Sequence, residues 1–440
     1  MSRVRVPRFT FEDESIRSRR KISFKVLGGF VLATDGLFRY DLSIPKMNET
    51  ASEGRNLVVC FDGTNYEFGR EPTNVVRLIQ VLDRDRSKRQ RLYYDPGVGT
   101  LPEPGALIPM LKTLTQWFGL AFGLGLSRKI IQAYTYLVDF WEPNDRVFLF
   151  GFSRGAYTAR VLAGFLHQLG LLPRGNYNLI PYAMKYFRRI TETGGHQSTA
   201  LDSNKWKQLC DDFRHTFARE VTPGDEERRF QVHFLGVWDT VSSVGWVWDP
   251  KHFPFTAYNP SVKHIRHAVA IDERRAFFRQ NLFRPAPTQD VLELWFPGVH
   301  SDIGGGGPPE RGRLWWNSFQ WMQKQAATAG LYFDAGKLNA LVAEKPSQAW
   351  AEPVNSSFEP ATWYLGEIWP KLTYCPKLKI RYPRCNFGRY REIHSGALID
   401  QAALLRIRAP DLAYIPKKLP KTFISSAKVL TQVPPYLSVP

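Results

Sequence analysis

The 440-residue sequence predicts an α/β protein built on a doubly wound, mostly parallel sheet with helical insertions, and three observations carry that prediction. Short, near-continuously apolar runs rich in β-branched and aromatic residues alternate with segments of helical spacing, the pattern of strands covered on both faces. The runs end in loops of Asp, Gly, Thr or Ser, where such a sheet presents its carboxyl edge. One run, Val147 to Phe150, leads into Gly151-Phe152-Ser153-Arg154-Gly155 and from there into a small-residue helix, Ala156 to Leu166.

Taken in order, residues 1–53 mix basic clusters (Arg17, Arg19, Arg20, Lys21, Lys25) with Glu12-Asp13-Glu14, as expected of a basic arm or an edge element. Residues 54–310 hold the expected catalytic core. Within it, Asn56 to Phe61 is a buried-strand pattern closed by Asp62-Gly63-Thr64, Pro72-Thr73-Asn74 caps a helix from about Val75 to Leu82, and Leu92 to Asp95 is a second strand. A helix is expected from Lys129 to Trp141, ahead of the glycine-flanked serine, and a polar and aromatic helical insertion over about 173–229. Val232 to Trp238 resumes the sheet and ends at Asp239-Thr240. His267 to Ile271 ends at Asp272, and Leu292 to Phe296, the last clear strand, ends in the glycine-rich loop from Pro297 to Gly307. Residues 311–440 form a Trp-rich helical and then basic, Pro-rich C-terminal region expected to pack on the core.

The formal net charge of +18, with a pI near 9.7, favours anionic partners such as phospholipid headgroups, and a peripheral contact with an anionic membrane surface is expected. Lys377, Lys379, Arg381, Arg384, Arg389 and Arg391 would supply charge to it, and Trp315, Trp316 and Trp321 interfacial anchors. No nucleic-acid motif accompanies the basic stretch. The four cysteines, Cys60, Cys210, Cys375 and Cys385, lack both Cys-x-x-Cys spacing and the density of a disulfide scaffold, so reduced thiols are expected. The first residues develop no apolar signal core, and the window from Gly105 to Leu126 is broken by Lys112, Thr113 and several glycines. An intracellular, cytoplasmic location with no transmembrane helix is therefore expected.

A strand-to-helix turn with glycines on both sides of a serine is the setting of a nucleophile elbow, which makes Ser153 the candidate nucleophile. Such a serine needs a base, and the base a carboxylate, both on loops after later strands. His300 directly follows a strand in a loop able to approach Ser153, while His394, the competing base, has no strand before it. For the acid, Asp239 after Gly-Val-Trp is the choice; Asp272 is next, and Asp302 stands close in sequence to His300. Two backbone donors would hold an oxyanion: Arg154, after the nucleophile, and Gly63 or Thr64 after the first strand, where Asp62 would serve as a turn-former. No cofactor or metal is expected.

Five separated blocks carry a family resemblance. They are Asn56 to Thr64 with Pro72 to Val76, Tyr94 to Thr100, Gly151 to Ala156, Gly236 to Thr240 and Gly298 to Gly305. Together they resemble the α/β-hydrolase domain of the type VI secretion phospholipase effectors over about residues 54–310. The resemblance implies an α/β-hydrolase-like fold and a lipase-like Ser-Asp-His site at Ser153, Asp239 and His300. It implies a serine esterase of the phospholipase A or lipase kind acting on a lipid or small ester. From another class, a catalytically silent hydrolase fold that binds an anionic partner would share the same blocks.

Overall fold

The computed structural model describes residues 54–63, 71–84, 89–97, 120–193, 200–221, 224–241, 253–285, 289–307, 309–359 and 380–426. It adds short pieces at 26–27, 30–31, 245–246, 249–250, 364, 367, 371–375 and 430–432. The chain divides into two compact units, Met1–Thr50 and Ala51–Pro440. In the first, Val26–Leu27 pairs antiparallel with Phe30–Val31; the rest of the expected arm lies outside the described residues.

The second unit is organised on a nine-stranded sheet among its described residues. In chain order its strands are β1 (Asn56–Phe61), β2 (Gln90–Asp95), β3 (Arg146–Phe152), β4 (Val232–Trp238), β5 (Val262–Ala270), β6 (Asp290–Phe296), β7 (Leu398–Ile399), β8 (Thr422–Ser425) and β9 (Leu430–Gln432). They lie in the order β9-β8-β7-β6-β5-β4-β3-β1-β2, and every neighbouring pair is parallel except β8 with β9. The fold is thus the α/β, mostly parallel sheet that the sequence predicts.

Parallel strands need crossovers, and helices on both faces supply them. The helices are α1 (Asn74–Val81), α2 (Leu120–Phe140), α3 (Arg154–Leu169), α4 (Ile180–Thr193), α5 (Ala200–Phe217), α6 (His300–Gly304), α7 (Trp316–Thr328), α8 (Ala335–Ala343) and α9 (Gln401–Arg408). Alternate strand residues face opposite layers. Leu57, Val59, Phe61, Val147 and Leu149 pack with Tyr134, Leu137, Leu162 and Phe165 of α2 and α3. Val58, Cys60, Phe148, Phe150 and Trp238 pack with Leu78, Phe319 and Met322 of α1 and α7. Helix α3 is buried along its whole length, with its apolar residues in the core and Arg160 and His167 hydrogen-bonded to Thr256 and Ser261. Each Leu or Phe so enclosed contributes about 1.5–3 kcal/mol.

The sheet does not stop at Phe296. Strands β7 and β8 follow it, around a third cluster of Val269, Ile271, Trp295, Ile399 and Phe423. With two and four residues, they are too short to show a period in sequence. The tryptophans correct an expectation. Trp315 and Trp316 are buried and stacked at 5.0 Å, and Arg77 lies over the Trp315 ring; Trp321 packs edge-on to Phe296. Trp315 and Trp316 build the layer over the sheet and offer no interfacial anchor, while Trp321 is half-buried against the same layer. No helix among the described residues is long and apolar enough to cross a membrane; residues 105–119 of the apolar window lie outside them. Cys60, Cys210 and Cys385 carry free thiols.

Candidate active site

Ser153 sits between β3 and α3 with φ 59° and ψ −122°, a strained conformation for a residue with a Cβ. The crossing of strand and helix there is too tight for side chains. A Cβ on Gly151 would lie 2.5 Å from the Gly155 carbonyl oxygen, and one on Gly155 would lie 2.3 Å from that of Phe61. The Ser153 amide donates to the Trp238 carbonyl at 3.0 Å, which fixes the turn to the end of β4.

The next residue after β4, Asp239, also has a positive φ, 38°. His300 opens α6 just beyond β6, in the loop that the sequence assigns to the base. The three side chains meet. The Ser153 hydroxyl donates to His300 Nε2 at 2.8 Å, and His300 Nδ1 donates to Asp239 Oδ2 at 2.5 Å. All three are buried. The imidazole lies between two rings, stacked on Phe152 and edge-on to Phe278, each centroid 4.6 Å away.

Electrostatics follow from this burial. Desolvation pulls His300 below its ordinary value, partly opposed by Asp239, so the imidazole is neutral at pH 7. Burial alone would raise Asp239, but the Arg391 guanidinium and the His300 hydrogen bond outweigh it and hold the carboxylate far below the usual range. The backbone of His300 is held separately. Its amide donates to Glu273 Oε2 at 3.1 Å, and the fully buried Glu273 pairs with Arg275 at 2.8 Å. The Thr73 hydroxyl caps α1, and Asn74 Nδ2 donates to the Ile303 carbonyl at 2.8 Å, tying α1 to the histidine-bearing turn.

The remaining candidates lie elsewhere. Asp272 accepts from the Gly298 amide and the Tyr414 hydroxyl, at 2.7 and 2.8 Å. Asp302 accepts from the amides of Val299 and Asn355, at 2.9 and 3.0 Å. Burial raises both carboxyls to about 6, and both act as loop fasteners. His394 is exposed and no contact joins it to Ser153. Arg154 follows Ser153 directly as the first residue of α3. The Gly63 amide donates to its neighbour Asp62 at 2.7 Å, which commits the donor that the sequence offers an oxyanion. Asp62 also accepts from Thr73 and Tyr94, as the expected turn-former; Thr64 lies outside the described residues.

Sequence reasoning missed Arg391. The sequence places it among surface charges, yet it is fully buried, with Nη1 and Nη2 donating to Asp239 Oδ1 and Oδ2. No local pattern distinguishes it from Arg384 or Arg389. Lys377 and Lys379 lie outside the described residues, and Arg389 is exposed.

A mostly parallel α/β sheet that carries a serine on a strand-to-helix turn, with a histidine and a carboxylate on later loops, is the framework of an α/β-hydrolase-like protein. Residues 55–325 match the family described as T6SS, Phospholipase effector Tle1-like, catalytic domain, and the chain belongs to that family. It is similar to the protein called Uncharacterized protein YEL023C from Saccharomyces cerevisiae, 36% identical over 243 residues, 54% of this chain and 34% of that one. The chain thus spans about a third of that relative's length. Among solved structures, the crystal structure of an uncharacterized protein from Pseudomonas aeruginosa shares 18% identity at a TM-score of 0.38, over 68% of this chain and 53% of the other. The structure of the Tle1 effector bound to the VgrG spike from the type 6 secretion system shares 19% identity at a TM-score of 0.30, over 66% and 58%.

Proposed function

We propose that this chain is a serine hydrolase that cleaves carboxylic esters through Ser153, His300 and Asp239, with a phospholipid as substrate. The observation that carries the proposal is the continuous hydrogen-bonded line from Ser153 Oγ through both nitrogens of His300 to Asp239. Ser153 Oγ attacks the ester carbonyl carbon while its proton passes to His300 Nε2; Asp239 stabilises the imidazolium through Nδ1. The Arg154 amide, at the start of α3, donates to the oxyanion. The tetrahedral intermediate collapses, His300 returns the proton to the leaving alkoxide oxygen, and the acyl group stays on Ser153. Water then repeats the sequence with His300 as base and frees the fatty acid.

Two features support this chemistry over mere packing. The histidine is neutral where a base must be, and the carboxylate stays ionised where an orienting charge must be. Family membership supports the phospholipid, and the net charge of +18 suits an anionic lipid surface. The test is a screen of phospholipids with different headgroups, beside soluble aryl esters, with wild type and Ser153→Ala. Release of fatty acid by wild type alone is expected. Folded wild type that turns over no ester and resists fluorophosphonate labelling would leave the silent, anion-binding fold. Activity on soluble esters with none on any lipid would leave a general carboxylesterase.

A further inference from the structure

Arg391 reaches the site from well beyond residue 325, where the family match ends. Its guanidinium is buried and fully engaged: Nη1 and Nη2 donate to the two oxygens of Asp239 at 2.5 and 3.0 Å, and Nε donates to the Phe278 carbonyl at 3.1 Å. Nη1 also reaches the Ala270 carbonyl at 3.2 Å. With the His300 Nδ1 proton and the Ala270 amide, Asp239 accepts four hydrogen bonds. Its carboxylate has one orientation, and a planar fork is what fixes both oxygens at once.

We propose that Arg391 is a positioning residue: its guanidinium locks Asp239 in place and offsets that carboxylate's charge, which sets the pH range in which His300 works as a base. The inference rests on the reading of Ser153, His300 and Asp239 as a catalytic unit. It is carried by the charges around the imidazole. Asp239 faces Nδ1 from the end of β4, and Glu273, after β5, accepts from the His300 amide. Arg275 pairs with Glu273, and Arg391 with Asp239. Asp302, on the same short helix, turns to Val299 and Asn355, and His267, near Asp239, is neutral because burial lowers it. The rings of Phe152 and Phe278 complete the enclosure. Two carboxylates thus stand against two guanidiniums, and a proton on His300 would be a buried charge with no net anionic excess to balance it. Loss of Arg391 leaves an excess of one negative charge, which favours the imidazolium and moves the acid limb of activity to higher pH.

The experiment compares wild type, Arg391→Lys and Arg391→Gln by the pH dependence of kcat/KM and of fluorophosphonate labelling at Ser153. Arg391→Lys keeps the charge and loses the fork, so the acid limb stays while the rate falls, on the order of 10- to 100-fold. Arg391→Gln should move the limb up by about one pH unit as well. A fall in thermal stability with limb and rate unchanged in both would overturn the proposal. A third measurement needs no activity and leaves Arg391 intact: NMR titration of His300 in Ser153→Ala protein. A midpoint below the ordinary value of about 6.5 is expected, and one at or above it overturns the inference. Wild type that is inert toward every ester, with His300 titrating low, would sink the hydrolase reading while leaving the charge balance around Arg391 in place.

Discussion

Helix α3 has a serine–histidine hydrogen bond at each end. At its N-terminus, Ser153 donates to His300 Nε2 at 2.8 Å, and the other ring nitrogen faces the carboxylate of Asp239 at 2.5 Å. In its last turn, His167 Nδ1 lies 2.6 Å from the Ser261 hydroxyl, and the other ring nitrogen faces the guanidinium of Arg229 at 3.3 Å. The group on the far nitrogen decides what each pair can do. A carboxylate there accepts Nδ1–H and leaves Nε2 as an acceptor for the serine proton. A guanidinium donates to Nε2, so Nδ1 keeps its proton and donates to Ser261, whose hydroxyl cannot give its own proton to that ring. The second pair lines a cleft of about 600 Å³ with Asp211, Phe255 and Tyr258, so a cavity beside a serine–histidine pair does not by itself make a nucleophile.

The largest expected effect falls on Ser153, the proposed nucleophile. Ser153→Ala should abolish fluorophosphonate labelling and ester turnover, while Ser261→Ala leaves both at the wild-type level. Labelling that survives in Ser153→Ala and disappears in Ser261→Ala would reverse the assignment of the two ends.

The bases come next. His300→Ala should lower kcat by several orders of magnitude, because members of such a unit fail together. His394→Ala and His167→Ala should cost little turnover. Comparable losses from His300→Ala and His394→Ala would overturn the choice of base. Asp239→Asn should keep the fold and reduce kcat on the order of 10³- to 10⁴-fold through the wrong imidazole tautomer, with Asp272→Asn mild. The opposite ranking would move the acid one strand along the sheet.

The two ends of α3 differ equally in how much of them the sequence discloses. Ser153, Asp239 and His300 each come directly after an apolar run, and a parallel sheet gathers the loops beyond its strands at one edge. Local pattern therefore suffices to bring them onto one edge. His167 lies inside a helix and Ser261 before a strand, positions at which pattern announces packing and nothing more. Arg391 is harder still. It belongs to no strand or helix among the described residues, and only the tertiary path of the C-terminal region carries it under Asp239. Glu273 shows the intermediate case: the ion pair with Arg275 is local, two residues apart, but its bond to the His300 amide is not. Trp315 and Trp316 are buried instead of serving as surface anchors for a related reason, since composition cannot say which residues a sheet covers.

The smallest expected effect separates the two histidines by stability. Burial, with Arg229 and Arg214 nearby, lowers His167 to about 4, against about 6.5 in the unfolded chain. Between those values the unfolded state binds more protons than the folded one, so this group's contribution is fully present above about pH 6.5 and is lost as pH falls toward 4. Asp272 and Asp302, each raised to about 6, act in the opposite sense, since the folded state takes up their protons first as pH falls. The whole-protein curve mixes these contributions, so the readout is a difference between wild type and His167→Gln. Melting temperatures measured from pH 7.5 to 4.5 should converge as pH falls, because the variant has no proton to exclude at that position, and the gap should narrow by a few degrees. Turnover at pH 7.5 should stay at the wild-type level throughout. A gap that is constant with pH would mean that burial and the neighbouring guanidiniums do not hold His167 neutral, and the charge contrast between the two serine–histidine pairs would lose that support.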